Sequence, residues 1–118
     1  SIPYLDRDYE YYCSSRFFVG RGTTGKEAYE RAAAGDPEAL ALWREFGGHV
    51  GQLVMLVLYT YDPEAIVFGG SIAHAFGFFR EAMYEQLKRF PYAKTVEGLH
   101  ICCSNIDHVG LLGASACE

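Results

Sequence analysis

The residues best suited to chemistry form one run, Ile66-Val67-Phe68-Gly69-Gly70-Ser71. Ala65 to Phe68 are apolar at every position, the pattern of a parallel strand covered by helices on both faces. Two glycines at the carboxyl end of such a strand permit φ > 0 and a close approach of a ligand to the backbone. The N–H groups that open the following helix supply donors. Ligands of open α/β sheets bind at turns of this kind. A tight turn that holds nothing needs the same glycines, so the local pattern leaves both readings open.

Other candidates are weaker. Cys13, Cys102, Cys103 and Cys117 contain no CxxC pair, and no His stands at finger spacing, so neither a zinc site nor a disulfide framework is indicated. Free cysteines suit a reducing cytoplasm. Cys102 and Cys103 are adjacent on a strand and point to opposite faces, so they are poorly placed to share a metal, and at least one belongs to the core. His49, between Gly48 and Val50, fits a helix-packed histidine better than a ligand. His74, His100 and His108 are isolated. Thr23, Thr24 and Gly25 open a helix and so stand where a nucleotide could be held, but capping alone accounts for them.

The elements that position these residues follow from pattern and composition. The chain has 118 residues, half of them apolar and 15% aromatic, with ten basic against fifteen acidic residues and a formal charge of −5. It is a globular single domain or one part of a larger one. No basic cluster exists to hold a phosphate backbone, so nucleic acid is not an expected partner. The longest apolar run, Leu53 to Tyr59, falls far short of the roughly 20 residues that span a bilayer, and Ser1-Ile2-Pro3-Tyr4 has no basic region followed by an apolar stretch, so no signal-peptide pattern is visible in it.

Residues 1–23 read as a tyrosine-rich loop leading into a short helix. Thr24-Gly25-Lys26-Glu27 has capping-box form and starts a helix that Gly35 stops. Asp36-Pro37-Glu38 starts the next, which runs to about Tyr61. Gly47, Gly48 and Gly51 inside it imply a kink or a close helix contact. Residues 62–118 then read as strand, helix, strand, helix. Ile72, Phe76, Phe79, Met83, Leu87 and Phe90 mark one amphipathic helix, and Leu99 to Cys103 the second strand. Ser104-Asn105-Ile106-Asp107 offers caps for a last helix containing Gly110 and Gly113. A crossover of this length makes the two strands parallel. Two parallel strands are too few for a sheet, so further strands are expected beside the first, from an N-terminal part or another copy.

Four segments taken in order carry a resemblance. Gly35-Asp36-Pro37-Glu38-Ala39-Leu40, Phe46-Gly47-Gly48-His49-Val50-Gly51, Ile66 to Ser71, and Gly110-Leu111-Leu112-Gly113-Ala114 together resemble the C-terminal part of the ROK family. That family holds bacterial glucokinases, other sugar kinases and sugar-responsive repressors on the actin-like ATPase, ribonuclease H-like fold. The likeness covers nearly the whole chain.

The resemblance implies an α/β fold and a cytoplasmic, homodimeric protein. It also implies ATP with Mg as cofactor and a hexose or amino-hexose as substrate. By resemblance, Gly69 and Gly70 lie against the adenosine of ATP and Ser71 begins the adjoining helix. Tyr9-Glu10-Tyr11-Tyr12-Cys13-Ser14 looks like the family's Cys-Leu-Glu segment, which makes Glu10 the acceptor for sugar hydroxyls. A carboxylate suits that task through charge-assisted hydrogen bonds.

There are two departures. Ser1 stands where most members have a zinc-binding His, and the cysteine loop is shortened to Asp6-Arg7-Asp8, so no structural zinc is expected. The phosphate-binding loop and the catalytic Asp of the family's N-terminal lobe have no counterpart here, so the chain alone is expected not to transfer phosphate. A ROK repressor's sugar-sensing part, which would bind DNA through an upstream helix-turn-helix, is the alternative, followed by a non-catalytic interaction domain.

Overall fold

The computed structural model describes residues 3–4, 7–8, 13, 16–104 and 115–117. A two-residue antiparallel ladder, β1 (Pro3–Tyr4) with β2 (Arg7–Asp8), precedes the one-turn helix α1 (Arg16–Val19). Thr24 then caps α2 (Gly25–Ala33), its Oγ1 accepting from the Glu27 N–H at 3.0 Å. The helix ends in a paired turn: the Gly35 N–H donates to Ala32 and the Asp36 N–H to Arg31, each at 2.9 Å. Gly35 makes this possible with a φ of +89°, a conformation costly for any residue with a Cβ.

Asp36 caps α3 (Pro37–Tyr61), accepting from the Glu38 N–H at 3.0 Å, with Pro37 at the first helical position. This helix is the spine of the core. Trp43, Phe46, Val50, Val54 and Leu58 recur at three- and four-residue steps and are buried against α5 (Phe76–Leu87), which presents Phe79, Met83 and Leu87. Phe17 and Phe18 of α1 cover the other end, with Phe18 4.4 Å from Trp43 between ring centroids. The glycines of α3 explain the tightness of the contact. A Cβ on Gly47 would collide with the Phe79 carbonyl, and one on Gly51 would lie 2.9 Å from the Met83 carbonyl. The expected close helix contact is therefore present.

The sheet has the order β3 (Ala65–Phe68), β4 (His100–Ser104), β5 (Ser115–Cys117). β3 and β4 are parallel, with Val67 level with Cys102 and Phe68 with Cys103, whereas β4 and β5 are antiparallel. The crossover between β3 and β4 carries α4 (Gly70–His74), α5 and a further short helix, α6 (Ala93–Glu97).

Four expectations change. The single amphipathic helix is two, because the backbone tightens at Ala75 (φ −91°, ψ 4°) and the Phe78 N–H bonds to the Ala75 carbonyl at 2.8 Å. α6 follows Pro91, which cannot continue the helix before it. β3 is not covered on both faces: exposure alternates along it, with Ala65 and Val67 exposed, Val67 to 60%, and Ile66 and Phe68 half-buried, so only one face is packed; it is also an edge strand among the described residues. Finally, Ser104 belongs to β4, and the end of the chain, expected to be the last helix, forms the strand β5 at Ser115–Cys117; Gly110 and Gly113 of that expected helix lie outside the described residues.

Candidate functional site

The carboxyl end of β3 is built as its sequence demands. Gly69 follows Phe68 in extended backbone (φ −124°, ψ 173°), and Gly70 turns left-handed at φ +67° to begin α4. Only Gly70 needs glycine for its backbone. Gly69 has a conformation open to any residue, and a Cβ built on it meets no atom of the described residues within 4 Å. The packing of the described residues therefore gives no reason for glycine at 69. An exposed backbone at a strand end, with open space before it, suits a ligand that lies flat on the chain.

The helix contributes less than its place suggests. α4 has five residues, too short for the aligned peptide dipoles to add to a useful field, so the turn offers space and backbone groups more than charge. α2 packs beside α4, and Tyr29 of α2 meets Phe78 of α5 edge-on at 5.6 Å. Thr24 is occupied in capping, as its sequence context implies. The wall of the site is thus Phe68-Gly69-Gly70 and the start of α4, held from behind by Phe68 against Phe76 at 5.8 Å and Phe79 at 5.7 Å.

Glu10, the expected sugar ligand, lies outside the described residues, as does His108. His49 is a packed histidine. Its Nε2 is 3.5 Å from Glu45 Oε2, and Glu45 also pairs with Arg21, whose guanidinium lies 3.8 Å over the Phe17 ring. Burial holds the His49 imidazole below the usual histidine range, against the pull of Glu45. His74 and His100 are exposed.

Among the described residues no group of three His, Cys, Asp or Glu side chains is arranged to hold a metal. Cys13 is a free cysteine, and burial pushes its thiol up to about 12. The cysteine expectation is corrected at one position: Cys102 is disulfide-bonded, and β5 places Cys117 opposite it in the ladder. Directly opposed antiparallel residues have Cα atoms about 4.5–5.5 Å apart, within the span of a disulfide. Sequence reasoning missed this because residue 117 was assigned to a helix.

The order of elements, a parallel β3–β4 pair around a helical crossover with a glycine turn at the β3 end, defines a class. The model of the ROK family matches residues 7–117. The chain belongs to the ROK family.

Two solved structures superpose on it. One is a ROK family transcriptional regulator, a homologue of the E. coli MLC protein, with a TM-score of 0.71 at 18% identity over 80% of this chain and 28% of that one. The other is a protein assigned as a sugar kinase from Cytophaga hutchinsonii, with a TM-score of 0.61 at 26% identity over 66% of this chain and 26% of that one. None of the curated proteins matches. The chain thus spans little more than a quarter of the length of either solved relative. No helix among the described residues is long and apolar enough to cross a membrane.

Proposed function

We propose that the chain is the C-terminal lobe of a cytoplasmic, ATP-dependent sugar kinase on the actin-like frame, with Gly69 and Gly70 as the wall against adenosine. The observation that carries this reading is Gly69, a glycine that the packing of the described residues does not require and that is itself exposed. Bound ATP with Mg would supply the phosphoryl donor. The chain's own residues position: Gly69 lets the nucleoside approach, Gly70 fixes the turn, and Phe68, Phe76 and Phe79 keep the wall rigid behind it. Ser71 follows as the second residue of α4, and Glu10 binds the hexose or amino-hexose hydroxyls.

Gly69→Val tests this in the longer protein. The added side chain has room in the fold, so thermal stability stays within the wild-type range, while KM for ATP rises at least tenfold and KM for the sugar holds. ADP release is followed with a coupled enzyme across a panel of hexoses and amino-hexoses. An unchanged KM for ATP removes Gly69 from the site. Sugar binding with no ADP release by any sugar assigns the lobe to a sugar-sensing repressor instead. The 118-residue chain alone gives no sugar-dependent ADP release, because phosphoryl transfer needs the opposing wall of the cleft.

A further inference from the structure

Arg21, in the turn after α1, ties that helix to α3. Its guanidinium lies 3.8 Å over the Phe17 ring, its Nη1 donates to the Phe17 carbonyl at 3.5 Å, and its Nη2 pairs with Glu45 Oε2. The same carboxylate oxygen stands 3.5 Å from His49 Nε2, one turn further along α3, and the imidazole meets the Phe17 ring edge-on at 5.8 Å. One acceptor atom therefore lies between a permanent cation and a side chain that gains a charge in mild acid. Two charges among the described residues act on the imidazole, and they oppose each other. Glu45, from its own helix, favours the protonated form, and Arg21, from the turn after α1, disfavours it; burial outweighs Glu45 and leaves His49 mostly neutral at pH 7.

Protonation of His49 places a second cation beside Arg21 at an acceptor both would use. As Arg21 disfavours the proton on His49, a protonated His49 weakens the hold of Arg21 on Glu45, because coupling between two sites is reciprocal. We propose that Arg21, Glu45 and His49 form a proton-sensitive latch on α1, closed while Arg21 holds Glu45 and loosened when His49 takes a proton and draws the carboxylate to itself. In the loosened form the imidazole is nearer to solvent and takes its proton close to the ordinary value of about 6.5, whereas in the closed form it does so only below that. Acid therefore favours the loosened form from that value downward. Phe17 and Phe18, both fully buried, keep α1 on the core in either form, so the change is one of order at the turn and not of fold. Because α1 begins at Arg16, soon after Glu10, the latch also sets how firmly the proposed sugar ligand is anchored; that consequence, unlike the latch itself, rests on the kinase reading.

Amide hydrogen exchange and histidine-ring NMR on the 118-residue chain, from neutral pH down to pH 5, test the latch. The Gly20 N–H, bonded to the Arg16 carbonyl at 3.0 Å, and the Thr23 N–H, bonded to the Phe18 carbonyl at 3.1 Å, report the turn. Their protection factors should fall about threefold, the scale of a half-exposed ion pair, as His49 titrates, and should stay level in His49→Gln. Glu45→Gln should show the lowered protection already at neutral pH and move the His49 midpoint down, while Arg21→Gln should move that midpoint up, since it removes the opposing charge. Thermal melts at neutral pH verify that each variant folds. Protection that ignores the His49 titration, or that falls equally in His49→Gln, overturns the latch, and so does an Arg21→Gln midpoint at or below the wild-type one. In the longer protein KM for the sugar should rise over the same pH interval in wild type and not in His49→Gln, with KM for ATP unmoved. A level KM for the sugar beside amides that respond overturns the link to Glu10 and leaves the latch in place.

Discussion

Asp36 carries two jobs at the joint between α2 and α3. Its Oδ1 caps α3 and its Oδ2 takes a 2.6 Å hydrogen bond from Arg31 Nε. The Arg31 hydrogen bond, followed by the one from the Glu38 N–H, holds the Asp36 carboxyl below the usual aspartate range. A carboxyl lowered in the folded state stabilises the fold fully above its unfolded value, near 3.9, and that contribution is lost as pH falls through the folded value. Asp36→Asn keeps a cap and loses the charge. Urea unfolding at pH 7 and pH 2.5 should therefore show the variant less stable than wild type at neutral pH, and the gap should narrow in acid. The joint was legible in the sequence because Gly35 and Asp36-Pro37 each have one conformational use. Glu10 was not legible from its own surroundings. A lone carboxylate among tyrosines has many uses, and only resemblance gave it one.

At the scale of elements, the α3–α5 crossing separates glycines that look alike in sequence. Gly47 and Gly51 point at α5, where a Cβ would strike backbone, whereas Gly48 has only the Gln86 Nε2 atom at 3.9 Å. Gly51→Ala should destabilise by about 1–3 kcal/mol, the usual cost of overpacking a filled contact. Gly48→Ala should be neutral or stabilising by up to about 1 kcal/mol, because it relieves the entropy cost of glycine in a helix interior. Thermal melts of the two variants, with opposite signs, check this. The sequence placed three glycines at a contact but did not tell which faced it, since consecutive residues lie about 100° apart and the partner helix is unknown until the fold forms. The break at Ala75 was hidden for a similar reason: the apolar period of residues 72–90 continues through it, and tertiary packing of Phe76 against Phe68 sets the bend.

For the molecule as a whole, the helical layer reads well from sequence and the sheet does not. Helix starts, stops and the buried face of α3 depend on residues close in the chain. Strand neighbours depend on what else pairs, and a four-residue strand such as β3 says nothing of which of its edges is occupied. The edge position of β3 has a consequence for amide hydrogen exchange. The His100 N–H bonds to the Glu64 carbonyl at 2.9 Å, and in a parallel ladder this phase directs the Ile66 and Phe68 N–H groups to β4 and those of Ala65 and Val67 away from it. Alternate amides along one short strand should thus differ in protection, with Ile66 slow and Val67 fast to exchange in this chain. In the longer protein a strand laid along that edge would slow Val67 while leaving Ile66 nearly as before, so a single backbone proton reports whether the sheet has found its neighbour.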